Sequence, residues 1–161
     1  EGIGSSLATD GTIYEGLPFT TSGLKIAEGT TQLGDISKLK ISTENASFAY
    51  MPDHEVVLGS ANFPYEPEWT SGYDIAKDVD LLFHDSQYRS EEYAARVGWG
   101  HSSIKDSVEF AKMCNVKRME LFHHDPLHTD QQLEKIMSDF KSQVKTDFPV
   151  ELCAEGNVYD L

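Results

Sequence analysis

The pattern of apolar and polar positions changes character near residue 47. Residues 1–45 are rich in Gly, Ser and Thr and hold little sustained period, which predicts short strands joined by turns. Leu24 and Ile26, then Ile36, Leu39 and Ile41, alternate in part with polar residues and predict a hairpin or strand pair. Ser47–Met51 is an aromatic-rich strand that stops at Pro52. Residues 59–74 contain two prolines, two glycines and four aromatic side chains. That segment is too aromatic to stay in water, so it reads as an ordered loop, a lid over the core or a wall of a pocket.

From Val79 the periods are clearer. The run VDLLF predicts a strand, and Ser90 is placed to cap a short helix, EEYAARV. Ser102 or Ser103 can cap the next helix, whose Ile104, Val108 and Ala111 share a face and which Asn115 can stop. KRMELF is a second buried strand. Thr129–Gln132 has the form of a capping box before an amphipathic helix striped by Leu133, Ile136, Met137, Phe140 and Val144. Pro149 precedes a last strand, VELCA. Strand, helix, helix, strand, helix, strand is an α/β order, a sheet with helices on an outer face.

Length and composition place this pattern in one domain, residues 1–161, with a hydrophobic fraction of 39% and a net charge of −14. So negative a chain argues against an electropositive surface, hence against nucleic acid and in favour of a small substrate. No run approaches the roughly 18 apolar residues of a membrane span. No basic-then-apolar signal opens the sequence, so no membrane partner and a cytoplasmic location are expected. Cys114 and Cys153 sit in apolar contexts without a CxxC and read as buried free thiols of a reducing compartment. The oligomeric state is left open, a homo-oligomer included.

Chemistry concentrates between Val79 and Pro126, which holds His84, His101, His123 and His124, four of the six histidines. Asp53, His84 and His123 each follow an apolar strand-like run, and strand ends on one sheet edge converge in space. Histidine nitrogen and aspartate oxygen suit a divalent transition metal, zinc first, with manganese or iron also accommodated. Asp53 can bridge metal ions, and Asp85 can hold His84 or His101 in orientation. Against this, a single strand-end histidine is usually a structural hydrogen-bonder. His124 and His128 read as solvated or packed, and Asp125 before Pro126 as the start of a turn.

The run AYMPDHE, DLLFHDSQY, GWGHSS and VKRMELFHHDP, with the ending VELCAEGNVYDL, resembles the C-terminal half of the metallo-β-lactamase-fold metallohydrolases. The branch it is most similar to holds ribonuclease Z-like and phosphodiesterase-like proteins, and the match is best over residues 47–161. The resemblance implies a four-layer αβ/βα sandwich with a hydrolytic metal site at one edge. By position it implies Asp53 and His123 as metal ligands and His101 as the histidine near the leaving group. His84–Asp85 matches that branch's His–Glu pair, a catalytic support. The family's His-x-His-x-Asp-His motif has no counterpart here, although Glu15–Phe19 resembles the Gly-Leu-Pro-Phe that follows it. The first shell is therefore incomplete, and the sequence reads as part of a longer chain. The expected activity is metal-dependent hydrolysis, phosphodiesterase-like, of a small ester or phosphodiester. The alternative is a degenerate, non-catalytic member acting as a binding or assembly module through the aromatic loop Phe63–Tyr73.

Overall fold

The computed structural model describes residues 25–28, 38–58 and 66–161. The expected strands and turns of residues 1–24 and the first part of the aromatic loop lie outside these. The described strands are β1 (Lys25–Glu28), β2 (Leu39–Ser42), β3 (Ser47–Met51), β4 (Leu81–Asp85), β5 (Met119–Phe122) and β6 (Val150–Leu152). They form one sheet in chain order. β1, β2 and β3 pair antiparallel, so the expected hairpin is present. From β3 to β6 the pairing is parallel, and a parallel crossover needs a long connection. Those connections supply α1 (Tyr73–Ala76), α2 (Ser90–Tyr93), α3 (Ile104–Met113) and α4 (Asp130–Gln143).

Period two sorts the sheet's side chains. Ala49, Met51, Leu82, Met119, Leu121 and Val150 lie on one face and form a core with Ile104, Val108, Phe110 and Ala111 of α3. Met137 of α4 joins it, while Ile136 and Phe140 are only partly buried against it. On the opposite face Phe48 meets Phe83 edge-on at 6.3 Å, Tyr50 packs on Phe122 at 5.2 Å, and Tyr159 covers Phe83 at 5.3 Å. Among the described residues there is thus one sheet with its helices on one face.

Local signals set the helix ends. Ser103 is the cap of α3, accepting from the Asp106 amide at 3.1 Å. Asn115 adopts φ +55 just past its end and donates its side-chain amide to Asp78. Thr129 and Gln132 make the reciprocal capping box of α4. α2 differs from expectation. Arg89, not Ser90, stands at the cap position, because the Glu92 carboxylate takes both the Arg89 amide and its guanidinium. The helix is one turn long and does not reach Val97. Cys114 is buried and free as expected, whereas Cys153, also free, is only half-buried. Among the described residues no helix is long and apolar enough to cross a membrane.

The core has a polar boundary. Phe110 is fully buried, with its ring 5.0 Å from that of His84 and 5.4 Å from that of His54. Phe110→Ala is expected to lower unfolding free energy by about 3–5 kcal/mol in urea titration. A smaller loss, about 1 kcal/mol or less, would mean that the histidines do not depend on this wall.

Candidate functional site

Parallel register brings the C-terminal ends of β3, β4 and β5 side by side, pairing Met51 with His84 and His84 with Leu121. Asp53 and His123 follow β3 and β5 within two residues. Both adopt left-handed backbone, φ +49 and +59, a conformation Asp and His tolerate better than most residues. His101 arrives from the Gly-Trp-Gly loop before α3. Asp53, His101 and His123 each offer a ligand-type atom, and these atoms lie within 4.8 Å of one another. His123 Nε2 is 3.3 Å from Asp53 Oδ1, His101 Nδ1 is 3.9 Å from it, and the two imidazoles stack with centroids 5.0 Å apart. Asp53 is exposed and both histidines are part-exposed, so the cluster faces solvent.

Asp85 lies directly behind. Its fully buried carboxylate accepts from His101 Nδ1 at 2.7 Å, the Ser102 amide at 3.1 Å, and the His54 and Gln87 amides at 3.3 Å. Burial pushes its pKa above the ordinary aspartate value, opposed by those donors and by the charge of His101 and His123. Every partner of its carboxylate is a donor, so Asp85 accepts throughout and His101 carries its proton on Nδ1 in that contact. Ser102 and Ser107 finish the support. Ser102 Oγ donates to the His54 carbonyl and accepts from Val56, while Ser107 Oγ donates to the Asp85 carbonyl.

His84 is not part of the cluster. It is fully buried, its Nδ1 is 2.6 Å from the Asp85 carbonyl and its Nε2 is 2.8 Å from His54 Nδ1. A carbonyl only accepts, so His84 donates through Nδ1 and takes the His54 proton on Nε2. His54, next to Asp53 in the polar run after β3, has no strand or helix period to mark it, yet it is buried and props the turn that carries Asp53. Glu55, the next residue, accepts from Tyr93 Oη and the Gly98 amide at 2.7 Å and from the Gly100 amide at 2.9 Å. The available signal was the pairing of a carboxylate with a glycine-rich loop, which sequence spacing of 43 and 45 residues hides. Asp125 does begin a turn, accepting from the Leu127 amide, and His128 packs on Glu92 at 3.0 Å.

The donors suit a transition metal: a carboxylate and an imidazole, Asp53 and His123, face one another at 3.3 Å at the solvent-facing edge. His101 is shared with Asp85. Among the described residues this is a partial first shell.

No family model matches the chain. It is 45% identical over 102 residues to ribonuclease Z of Sulfolobus acidocaldarius, covering 60% of this chain and 34% of that one. It is 46% identical over 57 residues to ribonuclease Z of Sulfurisphaera tokodaii, covering 35% of this chain and 19% of that one. The chain therefore spans only a minor part of these relatives' length. Its structure superposes on the metallo-β-lactamase fold protein YhfI of Bacillus subtilis with a TM-score of 0.52 at 15% identity, over 76% of this chain and 43% of that one. The fold is the metallo-β-lactamase fold, present in part, and the sequence is ribonuclease Z-like. The relatives correct one expectation. Net charge argued against nucleic acid as a partner, whereas the similar proteins are ribonucleases by name. A whole-chain charge sum does not locate the field at one sheet edge, and screening limits its reach to about 8 Å at physiological salt.

The buried pair gives a pH signature. Burial, then the neighbouring His84 imidazole, holds His54 down to about 2, and burial holds His84 down to about 4. Both lie below the ordinary imidazole value, so the unfolded chain binds more protons between them and about 6.5. Stability is full above about 6.5 and is lost as pH falls towards 4. The urea midpoint is expected to drop between pH 7 and pH 5, and His54→Gln to flatten that slope. An equal slope in the variant would remove His54 from the account.

Proposed function

For a chain with a ribonuclease Z-like sequence on part of a metallo-β-lactamase fold, we propose a metal-dependent hydrolase that cleaves phosphodiester bonds in RNA. The observation that carries it is the convergence of Asp53, His101 and His123 at the parallel sheet's edge. Asp53 and His123 would hold a divalent metal, zinc first among the candidates, together with ligands beyond the described residues. A metal there lowers the pKa of bound water and neutralises charge on a phosphate.

The remaining chemistry belongs to this chain. Asp85 accepts from His101 Nδ1, which fixes the ring and turns Nε2 away from Asp85. A cationic His101 carries its second proton on Nε2 and can give it to the departing oxygen of a phosphodiester. Asp85 does not move a proton itself in this scheme. It is held by backbone amides that keep its carboxylate aimed at the imidazole. His84 acts at one remove by supporting the turn that presents Asp53.

Metal content and cleavage of a short RNA with an unpaired 3′ end separate the roles. Asp53→Ala and His123→Ala are expected to lose bound zinc or manganese and, with it, cleavage. His101→Ala is expected to keep the metal and lose about 10²–10⁴-fold in kcat. Asp85→Asn should fall between wild type and His101→Ala in kcat while keeping the bound metal. Cleavage unaffected by His101→Ala would sink the acid role, and metal binding with no cleavage by wild type would leave a non-catalytic binding module.

A further inference from the structure

The loops that carry the cluster also expose large apolar side chains. Leu58 follows Asp53, Val97 and Trp99 precede His101, and Leu127 follows His123. Exposed apolar residues gathered on the loops of a site mark a contact surface. Trp99 is the informative one, 66% exposed and two residues from His101.

Its loop is held in place. The Glu55 carboxylate, itself 8% exposed, accepts from the amides of Gly98 and Gly100, one on each side of Trp99. Both glycines adopt left-handed backbone, φ +84 and +91, and an added Cβ at either would meet nothing within 4 Å. They are needed for conformation, not for space. The Trp99 amide donates to the Arg96 carbonyl at 3.1 Å, and Arg96 is itself stacked on Tyr88 at 5.0 Å. A slack loop would fold its indole onto the core. This one is pinned at three amides, and the indole stays in water.

We propose that Trp99 is a substrate-binding residue that stacks on a nucleobase beside the scissile phosphodiester, with Glu55 the positioning residue that presents it. This rests on the RNA reading above. Stacking needs no charge, so it supplies affinity for a polyanion in a chain whose net charge is −14. An indole face accepts any base, which fits a residue that grips RNA without reading its sequence.

The test is binding, separate from cleavage. Trp69→Phe leaves Trp99 as the single indole of a chain with two tryptophans, and so as its own fluorescent reporter. In that background a short oligoribonucleotide is expected to quench Trp99 saturably, and ribose 5-phosphate, which lacks a base, is not. Trp99→Ala should weaken oligoribonucleotide binding about 5- to 100-fold, with Trp99→Phe restoring most of it. Glu55→Gln keeps the shape but sets an amide donor against a glycine N–H. It should lower the fluorescence anisotropy of Trp99 and weaken binding although the indole is present. Wild-type affinity in Trp99→Ala overturns the proposal and leaves the RNA reading standing. Unchanged anisotropy and affinity in Glu55→Gln overturn the role of Glu55. Failure of the wild-type chain to bind the oligoribonucleotide overturns both the proposal and the reading it rests on.

Discussion

The site depends on one buried carboxylate. Asp85 ends the central strand β4, where no water reaches it, and an anion there must be met by donors or it will not stay charged. The donors come from separate stretches of chain: the turn after β3 at His54, the segment after β4 at Gln87, and the loop before α3 at His101 and Ser102. Satisfying a single charge thereby fixes the relative positions of the loops that carry Asp53 and His101. Loss of that charge frees both loops at once. This is why Asp85, which need not touch substrate, bears on the whole arrangement.

Glu55 repeats the device on a smaller scale. Its carboxylate gathers Tyr93 of α2 and the Gly98 and Gly100 amides, so the loop is anchored at Asp85 on one flank and at Glu55 on the other. Burial alone would raise the Glu55 pKa, but the Gly98 amide, Tyr93 and the Gly100 amide, with His101 nearby, bring it below the ordinary glutamate value. His54 and His84, hydrogen-bonded to each other, pack as neutral rings against Phe110. Polar residues so close to an apolar core are stable only because each bond is directional and nearly all are met.

Much of this was legible in the sequence. The strands β3 and β5 followed from apolar runs stopped by Pro52 and His123, β4 from a run that continues through His84 to Asp85, and Ser103 and Thr129 capped where hydroxyls precede amphipathic helices. The strand-end argument grouped Asp53, His84 and His123; Asp53 and His123 do meet, but the third member is His101 from the loop before α3, and His84 is buried behind it. Long-range polar pairs were not legible. His54 with His84 and Glu55 with Gly98 join residues 30 and 43 apart, and no period records them. The short α2 was misread because Glu92 claims Arg89, a side-chain choice that composition does not reveal.

The partial first shell also has a physical reading. Asp53 is exposed and sits in left-handed backbone, an arrangement with a conformational cost and no packing to offset it. His123 shares both features in part. His123 stacks on His101 at 5.0 Å and stands 3.3 Å from Asp53, so both left-handed residues present ligand-type atoms at the solvent-facing edge. The Asp85 carboxylate beneath them is held by four donors, whereas Asp53 meets only the two histidines at 3.3 and 3.9 Å among the described residues. A conformational cost kept at two solvent-facing ligand-type residues is what supports the proposed metal site.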